Sequence, residues 1–243
     1  MTSIPAEAPE WIDLPAVPES QVGGTLRARL VAGEGGPPAP PPWSTQVSAV
    51  LWWHRAAPQA VEQLPDAVRG LPHLPITVGA LVRYRDSPVG SYSEVFASPV
   101  LLRRPGKPRR LRLPAVTVPF IAVDSLASVV GGRAGWMLPK TLARALWPPD
   151  GAARIEGDDW SVAAMVNPRG TRFPVRGRLP LLQPHPDGGR RLSTVRLRGQ
   201  AQLARVQIDT AGPTLPQWLL SGRHPGLAIS SGRMEISAPG PES

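Results

Sequence analysis

Proline (32) and glycine (24) fill 56 of the 243 positions and are scattered along the whole chain; no other feature limits the fold as strongly. An interior proline costs a helix about 3 kcal/mol or more, because it removes a hydrogen bond and collides with the preceding turn. A protein of long helices is therefore excluded, and many turns and strand ends are expected. The combined share stays just short of the roughly 25–30% that marks low-complexity disorder. With 42% hydrophobic residues, the chain is long enough to bury a substantial core in one domain.

Local patterns divide the chain into three parts. Residues 1–42 read as a partly ordered N-terminal arm, ending in the low-complexity connector GEGGPPAPPP at Gly33–Pro42, with a possible strand at Leu26–Ala32. Residues 43–238 read as the domain, and 239–243 as a tail. Within the domain, Thr45–Trp53, Ile76–Arg85, Tyr92–Leu102, Leu111–Val123, Trp160–Val166, Arg172–Leu182, Leu192–Ile208 and Leu227–Ser237 have strand character. Arg103–Arg110, containing Pro105-Gly106, reads as a hairpin tip. Ala60–Arg69 has helical spacing, with Pro65 ending or kinking it. Asp124 can cap a short helix that Gly131-Gly132 ends, and Pro139 suits the first position of a second helix through Leu146. The fold class is mostly β (α+β), antiparallel, with a few short helices.

Several chemistries are absent. There is no cysteine, so disulfides, thiolate metal sites and cysteine nucleophiles are excluded. His54, His73, His185 and His224 are isolated from one another, and no pair has zinc-ligand spacing. No GxSxG, Walker-type or GxGxxG motif occurs. No metal and no cofactor is expected. The N-terminus lacks the basic and apolar regions of a signal peptide, and the longest apolar run, Ala49–Trp53, falls far short of the ~20 residues of a membrane span. The expectation is a cytoplasmic protein with no membrane partner. Arginine clusters at 103–112, 169–178 and 190–205 fit either phosphate or nucleic-acid contact, or a solvated strand face or subunit contact. Aromatic residues do not interleave with them, and no nucleic-acid partner is expected.

The charge balance, +9, contains one sharper signal. Of 27 cationic residues only Lys107 and Lys140 are lysines. Arginine stays protonated and cannot act as a nucleophile, so a retained lysine marks a place where an amine is needed. Lys140 lies in Gly135-Trp136-Met137-Leu138-Pro139-Lys140-Thr141-Leu142, flanked by apolar residues. The structural alternative is a stem packed on Trp136 with its head in water.

Three segments, taken together, resemble the acetoacetate decarboxylase family. They are YRDSPVGSYSE at Tyr84–Glu94, VPFIAVDS at Val118–Ser125 and GRAGWMLPKTL at Gly132–Leu142, in order and at fitting distances. The resemblance implies an antiparallel β-barrel with short helices, a homo-oligomer, and a small keto acid or ketone as substrate. It implies that Lys140 is a Schiff-base lysine and Glu94 an acidic catalytic residue, with Arg133, Trp136, Gln46 and Tyr92 around the substrate. The chain departs from the family pattern at three places. Thr141 stands where a second lysine follows the nucleophile, Gly79 where a second glutamate precedes Glu94 by fifteen residues, and Gln46 where an early-strand arginine holds the substrate carboxylate.

The function expected from this is a β-keto acid decarboxylase working through a Schiff base, a carbon–carbon lyase. The alternatives are an aldolase–dehydratase of the same family acting on pyruvate-like keto acids and aldehydes, or a non-catalytic binding module with Arg-rich faces, which an exposed Lys140 would favour. A free lysine has a pKa of ~10.4, so nucleophilicity demands a lowered value. Desolvation by Trp136, Met137, Leu138 and Leu142 is expected to supply most of the lowering, helped by the helix start at Pro139, with Glu94 one hydrogen-bonded step away.

Overall fold

Alternation commits one face of the first long strand to the core over its first half. In Trp43–Arg55 (β1), Trp43, Thr45, Val47 and Ala49 are buried, and Ser44 and Gln46 between them are exposed. The computed structural model describes residues 8–103, 113–148 and 152–242. After β1 come His73–Leu74 (β2), Ile76–Asp86 (β3), Tyr92–Ser98 (β4), Leu101–Leu102 (β5), Phe120–Val123 (β6), Thr141–Leu142 (β7) and Arg144–Leu146 (β8). Then follow Ala152–Glu156 (β9), Ser161–Pro184 (β10), Arg190–Ala211 (β11), Gly222–Ile236 (β12) and Gly240–Pro241 (β13). The α-helices are Gly24–Val31 (α1), Asp66–Arg69 (α2) and Leu126–Trp136 (α3).

One sheet runs β7-β6-β4-β3-β1-β12-β11-β10-β9-β8, with β13 added beside β11. Its terminal strands β7 and β8 are separated in sequence by Ala143 alone, so the chain joins the two ends into a nearly closed, barrel-like wall. The expected antiparallel arrangement is corrected in two places: β6 and β7 pair in parallel, Ala122 with Thr141 and Val123 with Leu142, and an isolated bridge joins Val116 and Leu181 in parallel. Parallel neighbours need a crossover, and between β6 and β7 α3 supplies it.

The faces of β3 and β4 serve different cores. Leu81, Val95 and Ala97 join Trp52 in one buried cluster, while Ala80, Val82, Tyr84 and Tyr92 join Val47 and Ala49 in another. The second face also receives α3 and the N-terminal arm, through Ile12, Leu26, Leu30, Val129 and Val130. Ser20 ties the arm to β6 twice: its Oγ accepts from the Ile121 amide at 2.8 Å and donates to the Ile121 carbonyl at 3.2 Å.

Several local expectations change. Leu26–Ala32 is helix rather than strand. Trp160–Val166 and Arg172–Leu182 belong to one long strand, β10, whose register with β11 shifts between Arg169 and Phe173. Gly240–Pro241, beyond the expected domain end, pairs with Arg191–Leu192. The helix expected from Pro139 is absent, and Thr141–Leu146 forms β7 and β8. The hairpin-tip reading of Arg103–Arg110, with Lys107, falls almost entirely on residues 104–112, outside the described residues. No helix among the described residues is long and apolar enough to cross a membrane.

Candidate active site

The Lys140 side chain has a path because two glycines lie inside α3. Gly131 and Gly132, expected to end a helix, sit mid-helix instead. A Cβ on Gly131 would stand 2.5 Å from the Trp43 ring, and one on Gly132 would stand 2.5 Å from Lys140 Cδ. These glycines are therefore needed for close approach, and the helix continues to Trp136. Met137, at φ 55°, provides the left-handed cap, with its amide donating to the Arg133 carbonyl at 3.0 Å and that of Leu138 to the Gly132 carbonyl at 3.2 Å. Since the chain then enters β7, no helix starts at Pro139, and the expected dipole contribution from that helix is withdrawn; the Lys140 amine instead meets Ser128 in the first turn of α3. We predict that Gly132→Ala slows any reaction of Lys140 by roughly 100-fold, the scale of a ~1 Å misplacement. Reductive trapping rates check this; an unaltered rate would mean that Lys140 does not need the groove.

Lys140 and Glu94 meet in the interior, each 3% exposed. Lys140 Nζ lies 2.8 Å from Glu94 Oε2 and donates to Ser128 Oγ at 3.0 Å. Glu94 Oε2 takes no aligned hydrogen bond, whereas Oε1 accepts one from the Tyr84 hydroxyl at 2.9 Å. The expected one-step separation of Glu94 from Lys140 is thus corrected to direct contact. Strand alternation explains it. Glu94 shares the inward face of β4 with Tyr92 and Phe96, and pairs across to Val123, whose next neighbour is Leu142 just beyond Lys140. Tyr84 and Tyr92, the only two tyrosines of the chain, pair across β3 and β4 and stack with ring centroids 4.1 Å apart. Lys140 Nζ stands 5.1 Å from the centre of the Tyr92 ring.

The electrostatics follow. Burial is the largest influence on Lys140 and pulls its pKa down, but the Glu94 carboxylate, with Tyr92, more than offsets it, so the amine titrates above its ordinary range. This overturns the expected lowering. Burial, reinforced by Glu94, raises the Tyr84 phenol well above its usual 10. Burial also pushes Tyr92 up to about 12, partly opposed by Lys140. A raised phenol pKa stabilises the fold fully below the unfolded value near 10, and that contribution is lost as pH rises through about 12. Tyrosinate absorbance should therefore stay flat through pH 10 and rise only toward pH 12 or with unfolding. A midpoint near 10 would contradict the burial of both rings.

Around this pair lies a cavity of about 100 Å³. Twelve of its seventeen lining residues are apolar, among them Trp43, Phe96, Trp136, Leu138 and Ile236; the others are Thr45, Tyr84, Tyr92, Glu94 and Lys140. Trp136 meets Trp43 edge-on at 5.0 Å and is anchored by its indole N–H, which donates to the Ser237 carbonyl at 2.8 Å.

Two expected substrate contacts are not in the cavity. Gln46 is exposed on the outer face of β1, and Thr45 points inward in its place, because a shift of one residue moves a strand side chain to the opposite face. Arg133 is fully buried, and its guanidinium is spent on backbone carbonyls: Lys140 at 2.6 Å, Ile12 at 2.8 Å, Ser20 at 3.1 Å and Trp11 at 3.4 Å. It pins the arm to the turn that carries Lys140. Burial lowers its pKa to about 10, so it remains a cation at neutral pH. Gly79 lies on the face opposite Glu94, where a Cβ would fall 2.3 Å from the Trp52 ring, so that position leaves no room for an acid.

Tyr84, Ser128, Thr45 and Trp43 escaped the sequence reading as site residues. The two tyrosines carried a usable signal, since Tyr92 has the same strand parity as Glu94. Ser128 carried none.

Among solved structures, acetoacetate decarboxylase from Legionella pneumophila subsp. pneumophila str. Philadelphia 1 superposes with a TM-score of 0.59 at 15% identity, over 84% of this chain and 88% of that one. A second acetoacetate decarboxylase structure gives 0.63 at 11% identity, over 86% and 92%. The chain has the acetoacetate decarboxylase-like fold. The enduracididine biosynthesis enzyme MppR, in complex with pyruvate, shares it, at 0.57 and 13% identity over 85% of this chain and 91% of that one. No protein-family model and no curated protein matches the chain. At such identities the likeness is one of fold, and the chemistry rests on the chain's own residues.

Proposed function

We propose that this acetoacetate decarboxylase-like protein is a Schiff-base-forming carbon–carbon lyase, with Lys140 as nucleophile and Glu94 as its proton partner. The observation that carries this reading is a buried Lys140–Glu94 pair, 2.8 Å apart, on the wall of an apolar cavity. A lysine meant only to pack its stem would put its head in water.

The contact with Glu94 supplies what desolvation alone does not. Moving one proton within the pair converts ammonium and carboxylate to amine and carboxylic acid. The amine adds to a substrate carbonyl to give a carbinolamine. Glu94 returns its proton to the carbinolamine hydroxyl, water leaves, and an iminium forms beside the regenerated carboxylate. The same proton thus frees the nucleophile and expels the water, at an atom already within reach of both. Tyr84, donating to Oε1, orients the carboxylate so that Oε2 faces the amine.

The iminium draws electrons from a bond one carbon away. Release of CO2 from a β-keto acid, or of an aldehyde from a β-hydroxy ketone, gives the same enamine, which is then protonated and hydrolysed. The first is the decarboxylase reading. The second gains support from a specific observation: no arginine lines the cavity among the described residues. MppR, whose solved complexes include the condensation product of pyruvate and imidazole 4-carboxaldehyde, is an aldol-type example on this fold.

Exchange of ketone α-hydrogens with solvent deuterium tests the shared part of the mechanism, because it needs only iminium and enamine. The protein should catalyse exchange into a small ketone, and Lys140→Met should not. Exchange that persists in that variant would remove Lys140 from the chemistry.

A further inference from the structure

The charges around the cavity constrain what it can accept. Its titratable lining residues are Glu94, Lys140, Tyr84 and Tyr92. The two phenols are neutral, and Glu94 and Lys140 cancel, so the described lining carries no net charge. Its remaining polar wall residue, Thr45, donates its hydroxyl to the Met234 carbonyl at 3.2 Å. Arg133, the cation expected beside the substrate, donates to four backbone carbonyls instead.

We propose that the substrate is an uncharged carbonyl compound with an apolar substituent, and that the bond broken is the carbon–carbon bond of a β-hydroxy ketone rather than the bond to a carboxylate. The proposal rests on the Schiff-base reading and adds the substrate class to it.

With a neutral ketone the site stays neutral at every stage: ammonium with carboxylate, amine with carboxylic acid, then iminium with carboxylate. A keto acid adds one negative charge to a space lined by Trp43, Phe96, Trp136, Leu138 and Ile236, with no second cation among the described lining residues to meet it. An unpaired buried carboxylate is among the costliest groups to desolvate. Lys140 cannot serve both anions, since its amine is consumed by the substrate carbonyl and the resulting iminium is already matched by Glu94. The volume of about 100 Å³, below the ~300–1,000 Å³ of drug-sized pockets, suits a small molecule.

The cleavage balances on these residues. The Lys140 amine condenses with the ketone and releases water. The Glu94 carboxylate takes the β-hydroxyl proton, an aldehyde forms, and the electron pair of the broken carbon–carbon bond enters the iminium to make an enamine. Glu94 then gives that proton to the enamine carbon, and water releases the shortened ketone and the free amine.

Matched acid and ester pairs test the charge rule directly. Pyruvate with methyl pyruvate, and acetoacetate with methyl acetoacetate, are each incubated with the full chain and borohydride. The rate of adduct formation on Lys140 is divided by that with a free alkylamine. We expect each ester to exceed its acid by about 100-fold, and Met234→Arg, which places a cation on a half-buried stretch of the wall, to cut that advantage at least tenfold. Acids trapped as fast as their esters would overturn the proposal and leave the Schiff-base reading intact. An ester advantage unchanged in folded Met234→Arg would trace the preference to something other than charge and overturn it as well. No adduct on Lys140 with either member of a pair would overturn the reading beneath both.

Discussion

Lys140→Met abolishes iminium formation and also destabilises the fold, by about 3–5 kcal/mol, because it leaves the Glu94 carboxylate buried without its partner. For a chain of this size each kcal/mol shifts the melting temperature by roughly 2–4 °C, so the loss reads as about 6–20 °C. Adding Glu94→Gln should restore most of the stability and none of the activity, since the amide carries no charge and still accepts the Tyr84 hydroxyl. Thermal melts of the two single variants and the double variant form the cycle that checks this. Strictly additive losses would mean that the two side chains do not act as a pair.

Glu94→Gln alone separates nucleophilicity from turnover. Without the carboxylate, burial becomes the chief influence on Lys140, and its pKa should fall below the ordinary lysine value instead of rising above it. The amine is then free at lower pH, so reductive trapping should extend further toward acid than in the parent. Turnover should nonetheless drop by about 10²–10⁴, the usual worth of a positioned proton donor and acceptor. Wider trapping with lost turnover is a signature that simple damage to the fold would not give. A variant that turns over normally would show that another group moves the proton.

How far the sequence discloses this molecule depends on which physical signal each residue carries. The first half of β1 was legible because burial on one face imposes a period of two, whereas β3 and β4 were legible as apolar runs buried on both faces. Leu26-Arg27-Ala28-Arg29-Leu30 satisfies both a period of two and a spacing of four. Only the exposed Ala28 between buried Leu26 and Leu30 reveals the helix. Gly131-Gly132 reads as a helix end by propensity, yet tertiary contact decides otherwise, because Trp43 and Lys140 occupy the space that Cβ atoms would need. Pro139 is compatible with a helix start and with the approach to a strand, and the left-handed Met137 before it settles the matter.

The site was legible in its chemistry and not in its contacts. Scarcity of lysine pointed to Lys140, and the motif around Tyr92 and Glu94 pointed to an acid. The direct Lys140–Glu94 contact depends on the parallel pairing of β6 with β7, a long-range feature that no local pattern encodes. The resemblance puts Gln46 beside the substrate, but the register of β1 against β3 shifts between Gln46 and Val47, and Thr45 takes the inward place. Arg133, attractive as a free cation, is consumed by carbonyls of an arm more than a hundred residues earlier in the chain.

In this mechanism the Lys140 amine itself attacks a carbonyl. Borohydride reduction in the presence of a small neutral ketone, followed by peptide mapping, addresses it most directly, because the chain offers only Lys140 and Lys107 as lysine side chains. The account predicts a single reduced adduct on the peptide carrying Trp136–Leu142, formed with loss of catalysis and absent in Lys140→Met. An adduct confined to Lys107, or none with any carbonyl tried, would contradict it.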